Sequence, residues 1–185
     1  MGRWEPDARG RVIRAAAELF VERGFDQTTA ADIAKRAGVT ERTFFRYFPD
    51  KREVLFDGSH QLQDTVNEAI ASAPDELPPL DAALAGMAAT AAIFNEIRDH
   101  ALRRAAIVAA NPSLQERELL KLAAMAEATA TALRQRGARE PTATLAAHSA
   151  VTVFHIAFGH WIAADGAPDF ADCVADAAAA LRALK

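Results

Sequence analysis

The chain is short of nearly everything that enzymes and secreted scaffolds are built from. Cys173 is its only cysteine, so no intrachain disulfide can form and a reducing cytoplasm is the expected setting. That lone thiol reads as a small buried hydrophobe in the last helix rather than as a redox sensor. No apolar run reaches the ~20 residues needed to cross a bilayer, and no signal-peptide pattern is present, so no membrane partner is expected. Strand-like alternation, internal repeats and low-complexity linkers are missing too. So is catalytic chemistry: there is no nucleophile–base pair, carboxylate pair, phosphate loop or metal cluster. Ser59-His60 and Asp99-His100 are sequence neighbours, which on a helix point in different directions. His148 and His155 lie seven apart, without the spacing of three or four that helical metal sites use and without a carboxylate to join them. Neither a metal nor a cofactor is expected, and the chain does not read as an enzyme.

What the chain has in quantity is alanine, at about a quarter of its 185 positions. Alanine has the best helix propensity, and stretches such as AALAGMAATAA and ADAAAAL point to helices packed closely through small side chains. With 51% apolar and 25% charged residues, the composition is that of a globular protein, and the fold class is all-α. The net charge of −4 argues against a nucleic-acid partner, but its distribution does not. Residues 1–51 hold ten basic and eight acidic side chains (+2), and residues 52–185 hold eleven and seventeen (−6). The signs fit a DNA-facing head on an acidic body. Arg3, Arg9, Arg11 and Arg14 form a candidate arm for phosphates.

Apolar spacing and stop signals predict nine helices, three in the head and six in the body. The first covers about 7–23 and stops at Gly24, with Val12, Ile13, Ala16, Leu19 and Phe20 as its inner stripe. The second starts at Thr29, whose hydroxyl forms a capping box with Asp32, and ends at Gly38. The third spans about 41–47, capped by Thr40, anchored by Phe44 and Phe48 and broken by Pro49. The fourth is read as one rod over about 50–72, carrying Val54, Leu55, Leu62, Val66 and Ile70, so that its tilt would move the third helix directly. Further helices are expected at about 80–96, 98–110, 113–136, 141–164 and 169–184. The domain boundary falls between 49 and 50.

Residues 29–51, TAADIAKRAGVTERTFFRYFPDK, carry the functional signal. Two short helices meet at a tight turn, and the second presents Arg42, Phe45 and Arg46 on a face with no packing role. Such a helix suits the major groove. Arg42 can make two hydrogen bonds to guanine, Phe45 can meet a thymine methyl, and Arg46 and Thr43 can reach base or phosphate. Tyr47 and Lys51 lie where the DNA backbone would pass, and Thr29 and Thr40 sit at helix N-termini, where free amides favour an anionic oxygen.

The string IRAAAELFVERGFDQTTAADIAKRAGVTERTFFRYFPDKREVL resembles the DNA-binding domain of the tetracycline-repressor (TetR) family of bacterial regulators. The resemblance places Thr29, Glu41, Arg42, Thr43, Phe45, Tyr47 and Lys51 at positions that commonly touch DNA. Two residues depart from the pattern: Phe45 stands where the family usually has Tyr, and Ala30 replaces a larger apolar residue. The stretch ALRRAAIVAANPSLQER, with FFRYFPDK, also resembles a subset whose body binds acyl-CoA-like ligands, which implies an apolar effector.

In that family the body holds a small molecule and the dimer interface. The expected pocket walls are Leu62, Val66, Met87, Phe94, Ile97, Met125, Thr129 and His155, and Arg103-Arg104 could neutralise an acidic effector. The last two helices carry Ala147, Val151, Phe158, Ala175, Ala178, Ala179 and Leu181 at helical spacings, a small-residue surface suited to a four-helix homodimer interface. Two heads would then read a palindromic operator in double-stranded DNA. The leading reading is a ligand-responsive repressor, and an effector that favours DNA binding stays open. A sequence-tolerant DNA-compacting protein shares the head but not the acidic body. An all-α enzyme has no residues to carry it.

Overall fold

The computed structural model describes residues 7–184, all helix and connecting loop with no strand among the described residues. Arg3 of the expected arm lies outside them. The chain divides into two compact units. One runs up to Asp57 and is completed by Arg103–Glu118, and the other comprises Gly58–Leu102 and the segment from Leu119 onward.

The first unit opens with α1 (Ala8–Arg23), whose first turn is capped by Asp7 accepting from the Gly10 amide. Gly24, at φ +82°, ends it in a conformation that disfavours side-chain-bearing residues, and Phe25 folds back to within 5.1 Å of the Phe20 ring. α2 (Ala30–Ala37) begins with the expected capping box: the Asp32 amide donates to Thr29 Oγ1 at 3.1 Å and the Thr29 amide to Asp32 Oδ2 at 3.0 Å. Gly38, at φ +68°, turns the chain into α3 (Glu41–Tyr47), capped by Thr40. Phe44 and Phe48 are buried against α1 and α2 residues in one core with Val12, Leu19 and Ile33. Two residues distant in sequence complete that core: Val108 near the end of α7 (Arg98–Ala109) and Leu114 in the first turn of α8 (Pro112–Gln135).

The single rod expected over 50–72 is not there. Asp50 accepts from the backbone amides of Arg52 and Glu53, which winds Glu53–Phe56 into a short 3-10 turn. Asp57 is extended, and Gly58 takes φ +89° before α4 (Ser59–Ser72) begins. Val54, Leu55 and Phe56 belong to the first unit's core, and Val66 and Ile70 to the second's. The compact units accordingly part at Asp57 and Gly58 rather than between 49 and 50.

The second unit contains α4, α5 (Pro79–Ala89), α6 (Ala91–Glu96), α9 (Thr142–Ala163), α10 (Phe170–Ala183) and the remaining parts of α7 and α8. The helix expected over 80–96 is interrupted at Thr90, whose hydroxyl donates back to the Met87 carbonyl inside the core. α4 and α5 cross closely at Gly86: a methyl there would sit 3.0 Å from the Val66 carbonyl oxygen. An aromatic cluster fills the far end, with Phe94 4.6 Å from Phe170 and 5.7 Å from both Phe154 and Trp161. α9 corrects the sequence expectation on hydropathy. At 22 residues and a mean hydropathy of 1.2, it is long and apolar enough by length and composition to cross a membrane. Nine of its side chains are buried inside the chain, so its apolarity serves the core of this unit.

Candidate nucleic-acid interface and body surfaces

α3 sorts its side chains sharply. Phe44 is buried, while Glu41, Arg42, Phe45, Arg46 and Tyr47 are exposed and Thr43 is half-buried. Phe45 is 51% exposed, a large fraction for a ring with buried Phe44 only 5.2 Å away to pack on. Arg46 stacks on Tyr47 at 4.9 Å and donates to its hydroxyl at 3.0 Å, so the two form one cationic plate. Thr40 and Thr43 share a hydroxyl contact at 3.0 Å, and the Thr43 amide donates to Thr40 Oγ1. Thr29 is likewise exposed at the start of α2, and its hydroxyl donates to Asp32. That bond, followed by the one from the Thr29 amide, holds Asp32 below the usual carboxylate range.

The surrounding ion pairs tie α2 to α1 and order the turn that follows α3. Arg36 of α2 grips Glu22 with two bonds, at 2.9 and 2.8 Å, and Glu18 with a third on α1. Arg36 holds Glu22 low in pKa and is itself raised by both carboxylates, Glu22 first. Burial pushes Asp50 up, but the Arg52 guanidinium and the Glu53 and Arg52 amides outweigh it, and the net shift is downward. Arg9 pairs with Asp57, Arg11 donates to the Ala37 carbonyl at 3.1 Å, and Arg14 reaches Asp7 at 3.5 Å. These three arm residues are therefore already engaged inside the first unit.

Lys51 departs from its expected place along a DNA backbone. Its ammonium donates to the carbonyls of Phe25 at 2.7 Å, Thr28 at 2.9 Å and Asp26 at 3.3 Å, and lies 4.3 Å from the Phe25 ring centroid. All three donors are spent on the turn after α1. Lys51 thus staples α3's exit to α2's entry. The sequence shows a lysine after a recognition helix, but not the carbonyls that Gly24 turns toward it.

In the second unit, six of the eight expected pocket residues gather in or against one core. Val66, Met87 and Thr129 are fully buried, Phe94 and Met125 nearly so, and Leu62 packs against them. Ile97 and His155 do not join them and lie exposed. Thr129 is unusual, because its hydroxyl is buried without a hydrogen-bond partner. A separate open groove of about 780 Å³ runs between α4 and α8, lined by Asn67, Glu68, Ala71, Asp75, Ala128, Thr131, Ala132, Gln135 and Arg136. None of these was among the expected ligand residues. The polar positions on α4 and α8 read as solvated faces, and only their juxtaposition makes a groove. Arg136 closes it by donating to the carbonyls of Ile70, Ala73 and Pro74 at the end of α4. Arg103 is exposed, whereas Arg104 pairs with Glu118 and the Leu55 carbonyl, so neither addresses the body's core.

The expected dimer surface divides. Ala147, Val151 and Ala178 are buried in their own core, which corrects their assignment to an interface. Phe158 and Leu181 are partly buried against that core, and Ala175 and Ala179 are exposed. α9 instead turns outward Leu145, His148, Thr152, His155, Ile156 and Gly159. Cys173 is half-buried, its thiol pushed up first by burial and then by Asp176, Asp172 and Asp169.

Comparison with known proteins settles the lineage. A profile described as "Bacterial regulatory proteins, tetR family" matches residues 12–57, and one described as "MftR C-terminal domain" matches residues 77–184, more than half of the chain. The chain belongs to the TetR family of bacterial regulators. Similar proteins include the probable regulator ArpR of Pseudomonas putida, 40% identical over 77 residues that make up 40% of this chain and 36% of that protein. The regulator TcmR of Streptomyces glaucescens is 35% identical over 91 residues, 49% of this chain and 39% of that protein. The chain thus spans well under half the length of these relatives. Among solved structures, the fatty acid degradation regulator FadR of Bacillus halodurans has a TM-score of 0.60 at 18% identity, covering 98% of this chain and 97% of its own. FadR of Bacillus subtilis, in complex with stearoyl-CoA, has 0.61 at 19%, covering 94% and 97%. At such identities these structures establish the shared fold.

Proposed function

We propose that the protein is a DNA-binding transcriptional regulator, a repressor released from a palindromic operator when a small apolar effector occupies the second unit. The observation that carries this reading is the bare face of α3: Arg42, Phe45 and the Arg46–Tyr47 plate face solvent, while Phe44 and Phe48 anchor the helix from behind. Arg42 reads a guanine, Phe45 meets a thymine methyl, and Arg46, Thr43, Tyr47, Thr29 and Thr40 hold bases or phosphates. Glu41 stands beside them at the helix start. Lys51 supports the site from within rather than touching DNA.

One α3 reads too few base pairs for useful specificity, so two copies act together on half-sites one helical turn or a multiple apart. The outward residues of α9 and α10, Ala175, Ala179 and Gly159 among them, supply the homodimer contact. A methyl on Gly159 would meet nothing within 4 Å inside its own chain. A helical glycine costs roughly 1 kcal/mol against alanine, and close approach by a partner helix accounts for keeping it.

The effector is bound among Val66, Met87, Phe94, Met125 and Leu62, with the unpartnered Thr129 hydroxyl offering one hydrogen bond to an otherwise apolar molecule. The stearoyl-CoA complex of the Bacillus subtilis FadR, which shares the fold, is consistent with that chemistry. Release needs an effector that favours the spread dimer, and about a hundredfold preference supplies about 3 kcal/mol of coupling. The coupling runs through α7 and α8, because both cross between the units inside continuous helix, whereas α4 is cut off by Gly58.

The test is a selection of bound sequences from random duplex DNA, followed by titration of the winner against random DNA at fixed salt. A palindrome bound at least a thousandfold more tightly supports the regulator. Equal affinities would make the protein a DNA-compacting one instead.

A further inference from the structure

The outward side chains of α3 divide into those taken up with a neighbour and those that are not. Arg46 and Tyr47 are bound to each other, and the Thr43 hydroxyl shares a contact with Thr40. Among the described residues, Glu41 and Arg42 are exposed and make no hydrogen bond or ion pair through their side chains. The Phe45 ring meets buried Phe44 edge to face, at 86° and 5.2 Å, which steadies it while leaving it 51% exposed. Arg42 and Phe45 are three residues apart, so their Cβ atoms lie about 5–6 Å from each other on one side of the helix. Base pairs stack about 3.4 Å apart, so the two side chains address neighbouring base pairs.

We propose that Phe45 makes α3 a reader of the C5-methyl group of a pyrimidine beside a guanine, accepting thymine and 5-methylcytosine alike and discriminating against uracil and unmodified cytosine. The inference rests on the DNA-binding reading above and deepens it, from a thymine contact to a methyl-dependent specificity that extends to modified DNA. Base edges in the major groove display hydrogen-bonding atoms everywhere except at the pyrimidine C5 position, where a methyl is the one apolar group on offer. Phe45 has no donor or acceptor to match the rest. Laid against a bare cytosine, its ring would cover the N4 amino group without pairing it, which costs affinity. Laid against a methyl, it buries apolar surface on both sides. C5 occupies the same place on thymine and on cytosine, so the ring cannot tell the two methyl groups apart. The tyrosine that the family usually has here could turn its hydroxyl to a base or a phosphate, and that alternative is closed to Phe45. Arg42 calls for acceptors instead, and guanine O6 and N7 supply two. Glu41 can only accept, so it does not compete for that guanine. One cationic fork and one apolar ring, side by side, fit a guanine next to a methylated pyrimidine.

The test alters the DNA before the protein, so misfolding cannot imitate the result. In the operator obtained by selection, each thymine in turn is replaced by deoxyuridine in both half-sites. Burying one methyl group is worth about fourfold in affinity, so its loss from two half-sites should weaken binding about fifteenfold at one symmetric position. Cytosine and 5-methylcytosine are then compared at that position, with guanine opposite in both duplexes, and should differ by a similar ratio. Phe45→Ala and Phe45→Gln, at an exposed position, should bring both ratios close to one while circular dichroism stays that of the wild type. Uracil tolerated at every thymine overturns the proposal and leaves Phe45 against sugar or phosphate, with the operator itself intact. Equal binding of cytosine and 5-methylcytosine overturns it as well. So does a methyl effect that persists in the Phe45 variants, because another side chain then carries it. A selection that yields no preferred duplex overturns this proposal together with the regulator reading beneath it.

Discussion

Replacing Lys51 with Met keeps the aliphatic stem and removes only the charged head. That head makes two short bonds, to the carbonyls of Phe25 and Thr28, a longer one to Asp26, and a stacking contact with the Phe25 ring. A hydrogen bond to a charged group is worth about 1.5–3 kcal/mol where buried, but the three here share one partly exposed ammonium and are not additive. The exposed carbonyl of Asp26 regains water, and the cation–π contact adds about 0.5–1 kcal/mol. The expected loss is therefore about 2 kcal/mol, a large fraction of a domain's usual margin. Urea unfolding should show it as a lower midpoint with an unchanged slope. The second measurement decides the matter: affinity for a duplex as a function of salt. Because the ammonium is spent on protein carbonyls, no phosphate contact is lost and the salt slope should stay that of the wild type. Unchanged stability together with a slope about one unit shallower would mean that Lys51 grips a phosphate, and the reasoning would fail.

Three further perturbations address other parts of the molecule. Arg42→Ala should cost about 1–3 kcal/mol on the selected operator and relax preference at one base pair, and a uniform loss on all sequences would move Arg42 to the backbone. Thr129→Val removes a buried hydroxyl without a partner, so the melting temperature should rise, by about 1 kcal/mol of added stability; a fall in calorimetry would show that the hydroxyl is bonded in the folded protein. Asp50 has a folded pKa below its unfolded value, so its contribution is complete above the ordinary carboxylate range and is lost as pH falls through the depressed value. Asp50→Asn should accordingly flatten the acid limb of stability against pH below about 4, and coincident profiles for the two proteins would contradict the assignment.

Features legible in the sequence are those whose cause is local. Gly24 and Gly38 mark helix ends because both adopt positive φ, and the Thr29–Asp32 box needs only two residues three apart. The outward face of α3 was legible for the same reason, since Phe44 and Phe48 claim the inner side of a seven-residue helix. The rod over 50–72 misled because Leu55, Leu62 and Val66 keep a helical spacing straight across Gly58, although the first belongs to one core and the others to another. Alanine misled differently. A helix with alanine on both faces has no amphipathic contrast, so Ala147 and Ala178, which are buried, looked the same as Ala175 and Ala179, which are exposed.

What no local pattern could show is closure over distance. Val108 and Leu114 complete a core whose other members end at Phe56, and Arg104 joins that core by donating to the Leu55 carbonyl at 2.8 Å and lying 4.8 Å from the Phe56 ring. Arg117 adds an ion pair to Glu53. The head is therefore not a segment but an assembly of two. Its second piece is the elbow of α7 and α8, whose two arms continue as helix into the other unit. A chain cut after Asp57 would keep every DNA-facing residue of α3 and still lack part of the floor beneath Phe56. The short stretch that carries the reading chemistry thus depends for its geometry on residues that contribute nothing to the family's recognisable motif.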